Sequence, residues 1–506
     1  MRKEMKFYKR LILILLSAAL MAASFNDKIS FIAWLSLIPY FIVISKSNLK
    51  TSIFFSWLTG IIFFAGVTYW FTNYSYTFWI PILGLLSIFF IFYGIIFWLI
   101  YSKIKWPVLR VLMISSIWIA VEFLRHRSFL AFPWGVMGYS QHNYLPVMQV
   151  SKLTGVLGVS LLIVLFNLCV AEIVIYFIYK QSFKSQAMFS FIIIALLALS
   201  NAIFGYIYIK AMDSRYSGEK LNIAIVQPNI SFDDKFETGT GVLIPDKTGD
   251  DGRYFLEDTD LVIFPESVIW GDISLERNKE FHDWVKNTAQ KENLFFLMGQ
   301  ILWNEKQEYY NTVQLYNPEL KILGRYNKMH PLPCAEYMPY PKALGFLSFM
   351  NIAKLNITPA NRYILIEYPG KGNIGSNICF ESTLQIISRT YRKLGANVLL
   401  TLTDTAGFKN SSVAWYHLIF SRVRAIENNS FMIHSGNNGI SAIIDSYGMI
   451  LNRTDLLKKD VIYGSVYFNS NRSFYSMHGE LIIYFYYGIS FFILLLYLVK
   501  NSKKTQ

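Results

Sequence analysis

Seven apolar runs, at about residues 11–24, 30–45, 52–72, 78–101, 108–124, 154–179 and 188–209, precede a polar stretch, and an eighth follows it at about 481–499. A run near the ~20 apolar residues that cross hydrocarbon belongs most naturally in a membrane. Two bodies are therefore expected: a multi-pass α-helical membrane domain of about eight spans, seven plus one, and an α/β domain of about 250 residues placed before the last span. The expected boundaries are 1–211 for the seven helices, 212–475 for the polar domain and 476–506 for the last helix and tail. Composition agrees, because 54% hydrophobic with 16% charged residues is too apolar for one soluble domain and too polar for a channel alone. The first two runs are short and suit a tight helical pair.

A net charge of +14 would point to nucleic acid in a soluble protein. Here the basic residues punctuate the apolar runs, so topology is the expected use of the charge and no nucleic-acid partner is expected. Fifteen of them fall on one face: Lys46, Lys50, Lys103, Lys105, Arg110, Lys180 and Lys184, with the basic residues of the two termini. Only four, Lys28, Arg125, Arg127 and Lys152, fall on the other. The positive-inside rule then places both termini in the cytoplasm and the polar domain outside. The start, with basic residues before "LILILLSAALMAAS", also resembles a signal peptide, and its removal would leave the domain on the same side. Cys169, Cys334 and Cys379 are too few for a disulfide framework. Cys169 reads as packing in the sixth span, the others as free thiols.

From about residue 220 the apolar runs shorten and are bounded by Gly, Pro and Asn. "LNIAIVQ", "DLVIFP", "LFFLMG", "TVQLY", "IGSNICF", "ANVLLTL", "FMIHS", "SAIID" and "VIYGSVYF" read as strands. Three helices are expected between them. Phe281, Trp284, Val285 and Thr288 share a face of 275–291; Leu384, Ile387, Tyr391 and Leu394 share one of 382–394; 413–428 is the third. The polar, Gly- and Asp-rich stretch at 229–255 reads as a mobile excursion.

Cys379 closes an apolar strand in "NICFES", three residues before the expected helix. A thiol at a helix N-terminus would be favoured as thiolate, as a nucleophile requires; a small buried hydrophobe fits the same letters. Glu266 in "VIFPES" ends another strand, where a carboxylate tends to face a site and could take the thiol proton, although an acidic N-cap reads the same way. Lys328 in "GRYNK" could hold positive charge against an oxyanion, with Glu336 as a second carboxylate.

The order Glu266, Lys328, Cys379, spaced by 62 and 51 residues, resembles the nitrilase (carbon–nitrogen hydrolase) superfamily. That resemblance implies an αββα sandwich with Glu266 as general base, Lys328 as oxyanion stabiliser and Cys379 as acylated nucleophile. It further implies supporting roles for Glu336 and Glu381. "VEFLR" at 121–125, "FPWG" at 132–135, "GYSQ" at 138–141, "GVLGVS", "AIVQPNI", "GRYNKMHPLP", "CFES" and "GNNGISAIID" are similar to the narrower apolipoprotein N-acyltransferase family. This second likeness implies ping-pong acyl transfer from a phospholipid donor to the N-terminal amine of a diacylglyceryl-modified apolipoprotein. It also implies a monomer in the bacterial cytoplasmic (inner) membrane, its catalytic domain on the periplasmic side, in contact with membrane lipid. No metal or diffusible cofactor is implied.

The chain departs from the superfamily where Asn-Asp-x-Trp-Phe-Gly is usual and "TDTAGF" stands at 403–408, so Trp415 is a candidate for the missing aromatic wall. Cys334, Ala335 and Phe380 also depart from its pattern. Trp134, Tyr139 and Gln141 are candidates for lining lipid access, though an aromatic belt accounts for Trp and Tyr equally. His417 and His434 lack metal-ligand spacing, Asn437 and Asn438 read as a turn, and Arg422 and Arg424 as ion-pair residues. Two rival functions fit less of the chain. A membrane-tethered amidase leaves eight spans unexplained, and a transporter with an inactive domain should carry more intramembrane charge than Glu122 and Glu172.

Overall fold

Runs without polar alternation leave a backbone in lipid only one economical way to satisfy its N–H and C=O groups, which is to coil on itself. The computed structural model describes residues 5–73, 76–127, 131–179, 184–211, 216, 218–231, 253–333, 335–338, 342, 356–408 and 410–502. The chain divides into two compact units, Met1–Ala211 with His478–Gln506, and Met212–Met477.

In the first unit the longer helices are α1 (Phe7–Ala23), α2 (Leu49–Val67), α3 (Tyr76–Lys103), α4 (Pro107–Arg127), α5 (Val156–Tyr179) and α6 (Lys184–Ala211). Six helices of the described residues are long and apolar enough to cross a membrane, five here and one in Leu481–Ser502. The 17 residues of α1 extend about 26 Å at 1.5 Å per residue. The second apolar run, Ser30–Ile44, is broken at Leu37, two residues before Pro39. Asn167 repairs the break: its Oδ1 accepts from Leu37 N at 2.9 Å, and its Nδ2 donates to Ala33 O at 3.0 Å. The hydroxyl of Ser17 on α1 donates to Ser36 O at 2.5 Å, so the two short runs do pair.

Several residues taken from the sequence as loop charges lie elsewhere. Arg110 sits in the first turn of α4, buried, 2.6 Å from Glu172 on α5. Arg125 is buried in the last turn of α4, its Cζ 5.0 Å from the Phe64 ring, and Lys152 is buried with Nζ 4.8 Å from the Tyr208 ring. Glu122 binds Trp118 Nε1 at 2.9 Å and Met137 N at 3.0 Å, which ties the "FPWG…GYSQ" loop to α4.

The second unit is built from thirteen described strands: β1 (Glu219–Gln227), β2 (Leu261–Ile263), β3 (Ile269–Trp270), β4 (Phe295–Trp303), β5 (Tyr309–Tyr316), β6 (Ile322–Asn327), β7 (Ile366–Tyr368), β8 (Gly372–Ile378), β9 (Val398–Thr403), β10 (Met432–Gly436), β11 (Ala442–Ile444), β12 (Ile450–Arg453) and β13 (Asp460–Phe468). One sheet runs β13-β1-β2-β4-β5-β6 with β3 on β4; the other runs β12-β11-β10-β9-β8-β7. Alternation along β1 sends Ala224 and Val226 outward onto Phe281, Trp284 and Val285 of α7 (Lys279–Glu292), leaving Leu221, Ile223 and Ile225 for the opposite face. On the other sheet lie α8 (Gln385–Leu394) and α9 (Val413–Asn428). The layers are α, β, β, α, the nitrilase-type sandwich.

All nine expected strands are present. On α8, however, Leu394 is 52% exposed, and the buried face is Ile387, Ser388, Tyr391 and Arg392. Most of the expected excursion, residues 232–252, lies outside the described residues, as does Cys334. Its two flanks are fixed, with Ile230 and Phe255 buried in the α7 core.

Candidate active site

Strands β8, β9 and β10 are mutually parallel, as are β1, β2 and β4, while β6 is antiparallel to β5 and so runs with β4. Parallel strands of a sheet end at one edge, and the hydrogen bond from Asp404 N to Glu266 Oε2 brings the two sets of strand ends together. Glu266 follows β2, Lys328 follows β6, Cys379 follows β8 and Asp404 follows β9.

Glu266 is held by backbone proximity as well as by polar partners. A Cβ on Gly299 would lie 2.4 Å from Pro265 O and 2.6 Å from Glu266 Cα, so only glycine lets the two segments approach. Its Oε1 accepts from Asn311 Nδ2 at 2.7 Å and from Lys328 Nζ at 3.4 Å, and its Oε2 from the Asp404 amide at 2.8 Å. Lys328, wholly buried, donates again to Glu336 Oε1 at 2.8 Å, while Glu336 Oε2 accepts from Leu332 N at 2.6 Å. Among the described residues two of the three ammonium protons are thus engaged. Burial pulls the Lys328 pKa down, but Glu336 and Glu266 outweigh it and hold the group above its ordinary value. It stays charged.

Cys379 is not where a helix dipole would act. A 3-10 turn, Cys379–Thr383, follows β8, and α8 begins only at Gln385. Burial, then the neighbouring Glu266 carboxylate, push the thiol well above its ordinary value against the pull of Lys328. The resting group is therefore a thiol and not a standing thiolate. Burial also raises the proton affinity of Glu266, against the pull of Lys328. Cys379 has φ +50, a left-handed backbone costly for a non-glycine residue and typical of residues held for function. The Ser382 hydroxyl ties its carbonyl at 2.8 Å and lies 3.2 Å from His417 Nδ1. His417 and His434 are buried and neutral, lowered by burial to about 4 and about 3.

Glu381, buried two residues past Cys379, accepts from Ile378 N at 2.9 Å on Oε2. On Oε1 it accepts from Tyr326 OH at 2.7 Å, Met329 N at 2.8 Å and His330 N at 3.0 Å. One carboxyl thus clamps the segment carrying Lys328 to the strand carrying Cys379. Burial pushes it up to about 7.

Asn311 and Asp404 were not foreseen; the only sequence signal was a polar residue inside or just beyond an apolar strand. Trp415 is 36% exposed on α9, with Arg453 Cζ 5.2 Å from its ring. Trp134, Tyr139 and Gln141 are buried in the membrane unit. Trp134 packs on Trp70 and Phe132, and Gln141 accepts from Trp34 Nε1 at 3.0 Å and donates to Ser30 O at 3.0 Å. Among the described residues, no cluster of three or more His, Cys, Asp or Glu could hold a metal ion.

The profile of the apolipoprotein N-acyltransferase N-terminal domain matches residues 17–169, and that of carbon-nitrogen hydrolases matches 222–474. The chain belongs to the apolipoprotein N-acyltransferase family of carbon-nitrogen hydrolases. The apolipoprotein N-acyltransferase of Geobacter metallireducens is 26% identical over 488 residues, covering 93% of this chain and 91% of that one. Apolipoprotein N-acyltransferase 1 of Treponema denticola is 27% identical over 525 residues, covering 94% and 93%. The solved structure of Saccharomyces cerevisiae Nit3, of branch 10 of the nitrilase superfamily, aligns with 50% of this chain and 92% of its own at 17% identity and a TM-score of 0.36. The chain is thus an acyltransferase, and the six long apolar helices among its described residues make it a membrane protein.

Proposed function

We propose that this enzyme moves a fatty acyl chain from a membrane phospholipid, through a thioester on Cys379, to the N-terminal α-amino group of the diacylglyceryl cysteine of an apolipoprotein. The observation that carries the reading is the meeting of Glu266 and Lys328, past strand ends of one sheet, with Cys379, past a strand end of the other, in a charge network closed by Glu336. Glu266 takes the Cys379 proton as sulfur attacks the donor ester carbonyl. Lys328 supports the oxyanion with its remaining N–H, and collapse of the tetrahedral adduct expels lysophospholipid, whose oxygen recovers the proton from Glu266. The acceptor amine, unprotonated, then attacks the thioester. Glu266 receives the amine proton and returns it to the departing sulfur, so the enzyme ends as it began.

The catalytic unit is proposed to lie on the extracytoplasmic side of the bacterial cytoplasmic membrane, with the chain working as a monomer. The bias of basic residues supports that sidedness, and burial of Arg110, Arg125 and Lys152 removes charges from both faces without reversing it. Trp134, Tyr139 and Gln141 are proposed to brace the lipid-access loop from within, since burial keeps them from forming its open wall; Trp415, part exposed, is the candidate for an aromatic surface facing lipid. The test is transfer of a labelled acyl chain from phospholipid to a diacylated peptide. Transfer that fails with Cys379→Ala supports the reading, whereas ammonia release from small amides without acyl transfer would favour a tethered amidase.

A further inference from the structure

Asn437 takes no part in the steps above, and a turn between two strands would need only its backbone. Yet its fully buried side chain makes three hydrogen bonds. Oδ1 accepts from Ile230 N at 2.9 Å, while Nδ2 donates to Ile230 O at 2.8 Å and to Asp404 Oδ1 at 3.1 Å. Its main chain adds two more: N–H donates to Thr403 O at 3.0 Å, and the carbonyl accepts from Asn229 N at 2.9 Å. An amide that pairs with both backbone groups of Ile230 acts as one rung of a strand ladder. It joins the segment leaving β1 in one sheet to the turn leaving β9 in the other.

That turn ends at the base. The Asp404 amide donates to Glu266 Oε2, and the Asp404 carboxylate, besides meeting Asn437, accepts from Ala406 N at 3.0 Å. Where the amide points is set by the turn at 403–406, and Asn437 fixes that turn from two sides. We infer that Asn437 is a positioning residue for the general base: it keeps the Asp404 amide on Glu266 and thereby sets the pH at which Glu266 can accept a proton. The inference rests on Glu266 being the base of the proposed reaction.

The groups facing Glu266 are Lys328, Glu336, Asp404, Cys379 and the neutral Asn311. Burial and the carboxylates of Glu336 and Asp404 push its proton affinity up; Lys328 and the Asn311 amide hold it down. A backbone N–H favours the charged carboxylate, so losing the Asp404 amide lets burial prevail. A base that takes its proton at higher pH loses activity from the acid side first.

The experiment measures the rate of thioester formation on the full-length detergent-solubilised protein, with phospholipid as sole substrate, across pH. Asn437→Ala and Asn437→Asp should each move the acid limb up by about one pH unit, a roughly tenfold loss on that limb, with the phospholipid KM within about twofold of the parent. Asn437→Asp nearly preserves size, so it decides the matter if the alanine variant does not fold; it loses both N–H donors and turns a carboxylate toward Asp404. Asn222→Ala is the control for loss of side-chain hydrogen bonds at the other end of β1, where Asn222 meets Asp258 O and the Ser465 hydroxyl. It should leave the limb in place. An Asn437→Asp profile superimposed on the parent overturns the inference, as does an equal shift in Asn222→Ala. Glu266→Gln separates the two readings: if it forms thioester at the parent rate, both fall; if it is dead while the Asn437 variants titrate like the parent, this inference alone fails.

Discussion

Replacing Glu381 with glutamine should make the protein more stable in mild base and slower at its chemistry. Protonated glutamate and glutamine are close isosteres, so near pH 5 the two proteins should differ by less than about 1 kcal/mol. Burial raises Glu381 from its ordinary 4.5 to about 7 in the folded chain. With the folded value the higher one, the native state binds the extra proton between those limits. The group's contribution is therefore complete below about pH 4.5, is lost as pH rises through 7, and is constant above. At 1.36 kcal/mol per pH unit the loss is about 3 kcal/mol, which glutamine does not suffer. The variant should gain on the parent by up to about 3 kcal/mol between pH 5 and pH 8, or roughly 6–12 °C in Tm for a domain of this size. The same neutral amide places N–H where one of four donors needs an acceptor, and it weakens the clamp from Met329 and His330 to β8. A displacement near 1 Å between Lys328 and Cys379 costs about a hundredfold in rate, so thioester formation should slow by ten- to a hundredfold. The assay pairs thermal unfolding at pH 5 and pH 8 with acylation rate on one preparation. A variant that loses stability relative to the parent as pH rises would show that the four donors outweigh burial, and the argument would be wrong.

Gly299→Ala should lower acylation about a hundredfold while the protein still folds, because the new methyl meets Pro265 O and Glu266 Cα and moves Glu266, the proposed base; an unaltered rate refutes the close approach. Arg392 is buried against the carbonyls of Ala396, Asn428, Asn429, Asn469 and Asn471 and stacks no carboxylate among those partners. Arg392→Met should cost about 3 kcal/mol or more in thermal unfolding by stranding those acceptors, and retention of the parent Tm would contradict it. Glu266→Gln, Lys328→Ala and Cys379→Ala should each abolish thioester formation, and the Glu266→Gln/Cys379→Ala pair should be no worse than either alone, since the groups act as one unit. Additive losses in single-turnover rates would break that unit apart.

The meeting of Glu266, Lys328 and Cys379, the residues of the proposed site, could be anticipated because each closes a strand-like apolar run. Their partners could not. Asn311 reaches Glu266 only because β5 turns its odd-numbered side chains away from the face that carries Thr312 and Tyr310, a matter of register that spacing along one strand does not reveal. Strands β7 and β12 were missed for a related reason: they lie at sheet edges, and exposed positions on β12 spoil the apolar alternation. The expected thiolate at a helix N-terminus failed because the chain first makes a 3-10 turn, so Gln385 rather than Ser382 begins the helix and burial decides the charge state of the thiol. Nothing marks a left-handed cysteine in a sequence, since the usual signal for that backbone is glycine. The membrane helices were read from length and hydropathy alone. The break at Leu37 was not, because the side chain that permits it, Asn167, is far away in sequence.

The central claim is that the acyl chain rests on Cys379 between donor and acceptor. Intact mass measurement of the protein incubated with phospholipid alone tests it most directly. The expected result is an adduct of one fatty acyl chain, located on Cys379, removed by hydroxylamine, and discharged in a single turnover by a diacylated peptide with a free α-amine but not by its N-acetylated form. Acylation of the peptide while Cys379 never carries the chain would contradict it, even with the overall reaction intact.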